Sequence, residues 1–320
     1  MAEPLNATFF TLKHRDRAVL LPATLAFVVI LLVLIAAWAA MNWHTFMLFV
    51  ELFRTFPDAP SETVGMEMFT GMMGLFLSTV LMLFPIYVAT ASYEAACLRW
   101  MIRGESPGFF GLTLDHDTWR VYGVYWCWFV TNLAISTVAG MLMWPVMFMM
   151  MGDIVTQVPN EPDQAALWEL QIKMQALSLI QYIPMIFIGV RFAPAAATSI
   201  ARRRFSFFEA WTVTSDRFWS LLGSFVLIWL LAGVVIVATS IPTATRVWPY
   251  FEALWRDPGN EAAMRAYFEQ FFAPEHLIWI PIGYGVTLLV SLGVALLSYG
   301  VNARAALVAL EEGKIQPVTE

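Results

Sequence analysis

The sequence predicts an all-α integral membrane protein with six transmembrane helices, arranged as three hairpins and joined by short interfacial amphipathic helices. Of the 320 residues, 59% are hydrophobic and only 13% are charged, and the mean hydropathy is +0.67. Soluble domains carry about 25% charged residues, so this chain has too little polar side-chain surface to coat a water-soluble fold of its size. Its composition therefore indicates a protein that resides in a bilayer.

Six apolar segments are each long enough to cross a bilayer, whose hydrocarbon core requires about 20 residues of helix. They lie at about residues 18–41, 68–93, 120–151, 174–200, 219–241 and 277–303. No stretch between them is long enough for a separate soluble domain of typical size. We therefore predict one six-span domain over residues 1–320, with residues 1–17 as a leading segment and residues 304–320 as a polar tail.

Lysine and arginine are distributed unequally between the two sides of the predicted bundle. On the side that holds the N-terminus, the loops and chain ends carry 13 of the 18 basic residues. Short cytoplasmic loops carry an excess of lysine and arginine. We therefore predict that both termini, including the leading segment and the tail, are cytoplasmic.

The outer loops carry signals for amphipathic helices. Apolar residues recur at helical spacing over residues 42–67, where Ser61 is a predicted helix start, and aromatic residues share one helix face over residues 260–272. Residues 160–163 predict a further helix start. Pro184 and Pro194 each predict a kink in the fourth span, and the fifth span is expected to end near Pro242.

Two inward corners, residues 92–119 and 191–219, resemble each other. Each contains a pair of phenylalanines and then an acidic residue shortly before a tryptophan. In addition, a Ser-Tyr pair precedes both the first exit from the bilayer, at Tyr93, and the last, at Tyr299. We therefore predict a repeated membrane re-entry corner.

Glu94 and Arg191 are the most informative ionisable residues of the predicted spans. Ionisable groups inside a bilayer are costly and usually face protein or water. An ion pair between Glu94 and Arg191, across spans two and four, would relieve both. Such a pair could serve a substrate or proton site, or it could be purely structural, and both side chains could instead extend to the inner interface.

A belt of arginines marks the inner ends of the spans. Basic belts attract anionic lipid headgroups at about 1 kcal/mol per residue, although setting the topology would explain the same residues. Since these arginines lie against the membrane, we do not expect nucleic-acid binding. The predicted headgroup contacts are Arg99, Arg103, Arg120, Arg202, Arg203, Arg204 and Arg217.

The run Asp115-His116-Asp117 does not predict a metal site, because three neighbouring residues of a helix cannot all point one way. Instead, Asp115 or Asp117 is expected to cap the third span, and we assign the cap to Asp117. For the fifth span the candidates are Asp216 and Ser215, and we assign Asp216. We find no catalytic motif, and we predict no cofactor, no metal and no enzymatic activity.

One stretch carries a family resemblance. The pattern Arg-x-Ala-Pro-Ala, a basic exit, Phe-x-Glu-Ala-Trp and Asp-Arg-Phe-Trp resembles the six-span membrane domain attached to some bacterial glycerophosphodiester phosphodiesterases, and related stand-alone inner-membrane proteins. The resemblance implies an integral module of a bacterial inner membrane, and no activity, since the phosphodiesterase chemistry of that family belongs to a separate soluble barrel. The matching residues are Arg191, Ala193, Pro194, Ala195, Glu209, Ala210, Trp211, Asp216 and Trp219.

These observations predict a non-catalytic accessory or scaffolding subunit that contacts lipid, with an anionic headgroup, or a partner membrane protein. The alternative is a transporter or channel for a small or lipid-like solute. Transporters place polar groups and broken helices near the midplane, and this chain offers few polar residues there, such as Asn132 and Thr137. We therefore expect a closed and largely apolar interior.

Overall fold

The computed structural model describes residues 7–13, 19–55, 61–157, 164–256, 262, 266–267 and 279–317. These residues are almost entirely helical, and none of them forms a β-strand. The helices are α1 (Phe10–Lys13), α2 (Leu20–Met41), α3 (Trp43–Thr55), α4 (Ser61–Arg103), α5 (His116–Gln157), α6 (Gln164–Phe192), α7 (Ala195–Arg202), α8 (Ala210–Thr214), α9 (Phe218–Arg256) and α10 (Trp279–Glu311).

Six segments of the described helices are long and apolar enough to cross a membrane. They are Leu20–Met41, Met66–Arg103, His116–Val146, Tyr182–Arg202, Phe218–Ile241 and Ile282–Glu311. Each overlaps one of the six predicted spans. The fold is therefore that of a multi-pass, all-helical membrane protein, as the composition predicted.

Several helices extend well beyond the predicted spans. Helix α4 has 43 residues, which at 1.5 Å per residue gives about 65 Å, roughly twice the hydrocarbon thickness of a bilayer. It begins at Ser61, as predicted. Helix α9 continues through Pro242 to Arg256, so the predicted end near Pro242 is wrong for the helix itself. The predicted helix starts at residues 160–163 and most of residues 260–272 lie outside the described residues.

The two prolines of the fourth span have different effects. Pro184 lies inside α6 without ending it. Pro194 separates α6 from α7 and has backbone angles of φ −80° and ψ 13°, which are not those of a regular helix. The predicted kink at Pro194 is therefore confirmed as an interruption of the helix.

The buried core lies at one end of the bundle, the end that carries the arginines. That end is formed by residues 91–121, 190–221 and 299–317. We call this the basic end. Residues 91–101 and 194–201 are buried without exception, whereas residues 234–241 of α9 are all exposed. Helices α4, α7 and α10 pack against one another there, and many buried positions are alanine. In a membrane the hydrophobic effect of water does not drive helices together. Small residues instead let the helix backbones approach closely enough to pack.

The first helix packs onto the last one. The Thr11 hydroxyl donates a hydrogen bond of 2.8 Å to the Leu296 carbonyl. At Gly300, a Cβ atom would lie only 2.1 Å from Thr11 Oγ1. Helix α1 can therefore pack this closely against α10 only because Gly300 has no side chain. The described part of the leading segment, residues 7–13, thus packs on α10.

Candidate functional site

The first corner of the basic end is the loop of residues 104–115 between α4 and α5. Gly104 ends α4 with φ 70°, and Gly108 has φ 92°, where a Cβ atom would lie 2.3 Å from the Leu112 carbonyl oxygen. Only glycine fits such a position. The turn leaves Phe109 82% exposed and Phe110 54% exposed. Two aromatic rings therefore project from the corner into its surroundings.

Helix α5 is capped by Asp115, and the assignment of the cap to Asp117 is wrong. The Thr118 amide donates a hydrogen bond of 3.1 Å to Asp115 Oδ1. Because α5 begins at His116, Asp115 takes the N-cap position and Asp117 lies inside the first turn. Burial raises the pKa of Asp115, but the Thr118 amide and the Arg99 charge outweigh it and hold that pKa below its usual value.

The carboxylates of this corner bind arginines of both corners. Asp117 accepts hydrogen bonds from Arg103 and, at 2.7 Å, from Arg120. Glu105 lies 3.4 Å from Arg103 Nε and 3.9 Å from Arg203 Nη2. Since Arg203 follows α7, the pair with Glu105 joins the first corner to the second.

An open surface depression of about 330 Å³ lies against this network. Its walls include four guanidinium groups, three carboxylates and one imidazole, so the arginines exceed the carboxylates by one positive charge. The arginines are Arg99, Arg103, Arg120 and Arg203. We call this depression the arginine pocket.

The deepest of these arginines, Arg99, is 1% exposed and pairs with Asp115. Its Nε and Nη2 atoms, and Nε of Arg103, are buried and have no hydrogen-bond acceptor among the described residues. Arg99 is therefore closed off from the surrounding bilayer, and the predicted headgroup contact at this residue requires a headgroup that enters the pocket. The helix ends enclose Arg99 at the pocket wall.

The other predicted headgroup contacts differ in accessibility. Arg203 is 51% exposed, and Arg204 is exposed as well. Arg202 is held by Glu209, at 2.6 Å, and by Ser206. The remaining ones, Arg103, Arg120 and Arg217, are partly buried and paired with carboxylates. Arg203 and Arg204 are therefore the belt residues most available to a lipid.

The predicted cap at Asp216 is also wrong. Helix α9 begins at Phe218, and the Asp216 carboxylate instead accepts a hydrogen bond of 2.7 Å from Lys314 Nζ. That hydrogen bond lowers the pKa of Asp216 and raises the pKa of Lys314. Together with a hydrogen bond from Arg202 to the Gln316 carbonyl, it holds the segment after α10 against the second corner. The predicted tail is thus partly helical and packed.

Glu94 lies in a buried cluster of tyrosines rather than beside Arg191. The Tyr125 hydroxyl donates a hydrogen bond to Glu94, and the hydroxyls of Tyr125 and Tyr299 also interact. Tyr93 shares a hydrogen bond of 2.9 Å with Thr24, and its ring lies 6.3 Å from that of Tyr299. The tyrosines of the two Ser-Tyr pairs therefore meet in space, between α4 and α10.

Arg191 lies in a box of three aromatic rings, which belong to α6, α8 and α9. Its guanidinium donates hydrogen bonds to the carbonyls of Thr214, at 2.9 Å, and Ser215, at 3.3 Å. The predicted Glu94–Arg191 ion pair is therefore wrong, because α6 presents Arg191 to α8 and α9 while Glu94 faces α5. The rings of Phe187, Trp211 and Phe218 lie 5.5, 5.1 and 5.1 Å from the guanidinium carbon.

The two inward corners are not structural repeats in detail. Phe207 is 3% exposed and stacks on Phe192 with ring centroids 4.8 Å apart, whereas its counterpart Phe109 is exposed. Asp117 is buried in an ion-pair network, whereas Asp216 is exposed. Spacing alone could not distinguish a phenylalanine that anchors a corner from one that projects out of it.

Sequence reasoning did not identify the Tyr125 and Thr214 contacts. The crowding of aromatic residues at the start of the third span was visible, but the partner of each residue depends on lateral packing. In the part of the chain that the structure describes, no group of three His, Cys, Asp or Glu residues could hold a metal ion. Cys97 and Cys127 are free thiols.

No family model, curated protein or solved structure matches this chain.

Proposed function

We propose that this protein is a non-catalytic module of a bacterial inner membrane that binds anionic lipid at its basic end and serves there as an accessory or scaffolding subunit. The observation that carries this proposal is the combination of exposed arginines and exposed aromatic rings at one end of the spans. Arg203 and Arg204 share that end with Phe109, Phe110 and other exposed aromatics, namely Phe205, Phe208 and Trp219.

Exposed aromatic rings and arginines at one depth match the chemistry of a membrane interface. Aromatic side chains concentrate at the headgroup level of a bilayer, and basic residues at that level attract anionic headgroups. The ion pairs of the arginine pocket hold the first corner in one conformation, so its rings and charges are presented as a fixed surface.

The remaining features of the proposal concern topology and partners. The six spans form three hairpins, both termini are cytoplasmic, and α3 lies on the outer interface. The exposed apolar outer halves of the spans contact lipid or a partner membrane protein. The pattern from Arg191 to Trp219, similar to the membrane domain of some glycerophosphodiester phosphodiesterases, supports an integral module of a bacterial inner membrane.

The test is the lipid composition that co-purifies with the full chain in mild detergent. We expect phosphatidylglycerol and cardiolipin to be enriched over phosphatidylethanolamine relative to the source membrane. Arg203→Asn combined with Arg204→Gln should reduce that enrichment, and Asn suits the left-handed backbone of Arg203, whose φ is 57°. Arg304→Gln, which alters a partly exposed arginine of α10, is the control. Equal lipid profiles in all three proteins would overturn lipid binding at these residues.

A transporter for a small or lipid-like solute is the second candidate, and one observation favours it. Pro194 breaks the fourth span, and Glu94 is a buried carboxyl on a neighbouring span, which are features that transporters share. Cysteines placed at Asn132, Thr137 and Arg191 test it. Rapid labelling of all three from one side, with protection by a solute, would replace the accessory module with a transporter.

A further inference from the structure

We propose that the arginine pocket is an oxyanion site that takes one phosphate group. This inference rests on the proposed lipid-binding function and names the chemical group that the basic end recognises. The four arginines of the pocket come from the end of α4, the first turn of α5 and the residue after α7. Three elements that are separate in sequence therefore deliver guanidinium groups to one pocket.

The hydrogen-bond donors of the pocket are not all used. Nε and Nη2 of Arg99 have no acceptor among the described residues, and Nε of Arg103 faces the Glu105 carboxylate at 3.4 Å without forming a hydrogen bond, although all three atoms are buried. A buried donor without an acceptor carries a desolvation cost, so native structures rarely leave one. Because these atoms have almost no accessible surface, a ligand in the pocket reaches them only when the Arg99 and Arg103 side chains reorient toward it. A ligand that supplies several acceptor oxygens to neighbouring guanidinium groups would then use these donors. Phosphate does this well, because its oxygens match the planar fork of arginine.

The charge of the pocket favours an anion of low charge. Four guanidinium groups face three carboxylates, Glu105, Asp115 and Asp117, and the imidazole of His116 lies with them. The single excess positive charge matches the single negative charge of a phosphodiester. The carboxylates also keep the arginines in place before a ligand arrives, since Asp117 holds both Arg103 and Arg120.

The position of the pocket favours a lipid as the source of the phosphate. Pro107 belongs to its wall, and the same turn carries the exposed rings of Phe109 and Phe110. Aromatic rings at that depth would lie among lipid headgroups. The volume of about 330 Å³ exceeds that of a bare phosphate and leaves room for an adjoining glycerol unit.

The experiment measures the thermal unfolding midpoint of the full chain in neutral detergent with two probes. The first is inorganic phosphate, compared with sodium chloride at equal ionic strength. The second is phosphatidylglycerol in mixed micelles, compared with phosphatidylcholine. A ligand that binds only the folded chain raises the midpoint in proportion to its affinity. Three variants are compared. Arg103→Gln alters an arginine that lines the pocket, and Arg204→Gln alters an exposed arginine outside the pocket. Arg304→Gln is the control.

We expect phosphatidylglycerol, and more weakly phosphate, to raise the midpoint of the wild type. In Arg103→Gln the apparent affinity for both should fall at least tenfold, while Arg304→Gln should behave as the wild type. Should Arg103→Gln not fold, Arg203→Asn replaces it as the pocket variant. Arg203 is half exposed and lies 3.9 Å from the Glu105 carboxylate, so its replacement should disturb the fold less.

The outcomes separate the two proposals. Stabilisation by phosphate but not by phosphatidylglycerol, lost in Arg103→Gln, would establish the pocket with a free phosphate as ligand and contradict lipid binding. Stabilisation by phosphatidylglycerol that is lost in Arg204→Gln but unchanged in Arg103→Gln and Arg203→Asn would overturn the pocket and leave lipid binding intact. No stabilisation by either probe would overturn both.

Discussion

The hydroxyl of Tyr125 donates a hydrogen bond to the carboxyl of Glu94 across the interface of α4 and α5. No described cation forms an ion pair with this buried carboxyl, and the Tyr299 hydroxyl and the Cys97 thiol lie near it as well. The structure thus stabilises an acidic group near the basic end with one phenol donor. The contact links the second and third spans just beyond the arginine pocket.

Tyr125→Phe should destabilise the protein by about 1–3 kcal/mol, because it leaves a buried carboxyl without its donor. Glu94→Gln should cost less, since the amide oxygen can still accept from Tyr125. Denaturant or thermal unfolding in detergent measures both. The matched control is Tyr122→Phe, which removes a phenol from the same helix. Equal losses in Tyr122→Phe and Tyr125→Phe would show that the Glu94 contact contributes nothing.

Glu94→Gln and Arg191→Gln should be additive in unfolding free energy. The two residues have separate partners, the first in the tyrosine cluster and the second at the Thr214 carbonyl and its aromatic box. Mutations without shared partners usually add within about 0.5 kcal/mol. A double-mutant cycle measures the coupling. A coupling energy above about 1 kcal/mol would restore the ion pair that the sequence suggested.

The Asp115 cap should make stability depend on acidic pH. The pKa of Asp115 is lower in the folded chain than its usual value of 3.8, so its charge stabilises the fold above that value. This contribution is lost as the pH falls through the lower, folded pKa. The unfolding midpoint of the wild type should therefore exceed that of Asp115→Asn at pH 7, and the difference should shrink below about pH 4. A difference that stays constant down to pH 3 would contradict the assigned partners.

Gly300→Ala should displace α1 from α10. The new methyl group would lie 2.1 Å from Thr11 Oγ1, and such overpacking typically costs about 1–3 kcal/mol. Gly293→Ala is the matched control, because it lies in the same helix with no atom within 4 Å of the added carbon. Thermal unfolding and labelling of a cysteine at Thr11 measure the two effects. Equal behaviour of the two variants would exclude the close contact.

The predicted orientation can be measured with reporter fusions. The excess of lysine and arginine on one side predicts that fusions at residues 107, 207 and 320 report the cytoplasm. Fusions at residues 58, 160 and 260 should report the opposite compartment. Because residue 207 lies between the fourth and fifth spans, a signal from outside at that position would contradict the six-span topology.

The fold class and the six spans were predictable because long apolar segments and a low charge content depend on composition alone. The partners of Glu94 and Arg191 were not, since they depend on which side of each helix faces which neighbour. A shift in register of one residue rotates a helical side chain by about 100°. The same sensitivity explains why Asp115 rather than Asp117 caps α5: the helix begins at His116, two residues earlier than a cap at Asp117 requires.

The arginine belt was predictable as a set of basic residues, but the accessibility of its members was not. The carboxylates that pair with these arginines, such as Asp117, Glu105 and Glu209, are visible in the sequence only as scattered acids. Packing between the corners decides which arginines remain available. It leaves Arg203 and Arg204 exposed and encloses Arg99 at the pocket wall.

The most direct measurement of lipid binding at the basic end is native mass spectrometry of the full chain released from detergent with equimolar phosphatidylglycerol and phosphatidylcholine. Our account predicts that phosphatidylglycerol adducts dominate in the wild type, and that they fall to the phosphatidylcholine level when Arg103→Gln is combined with Arg203→Asn and Arg204→Gln. Equal adducts of the two lipids in the wild type, or an undiminished preference for phosphatidylglycerol in the triple variant, would contradict it.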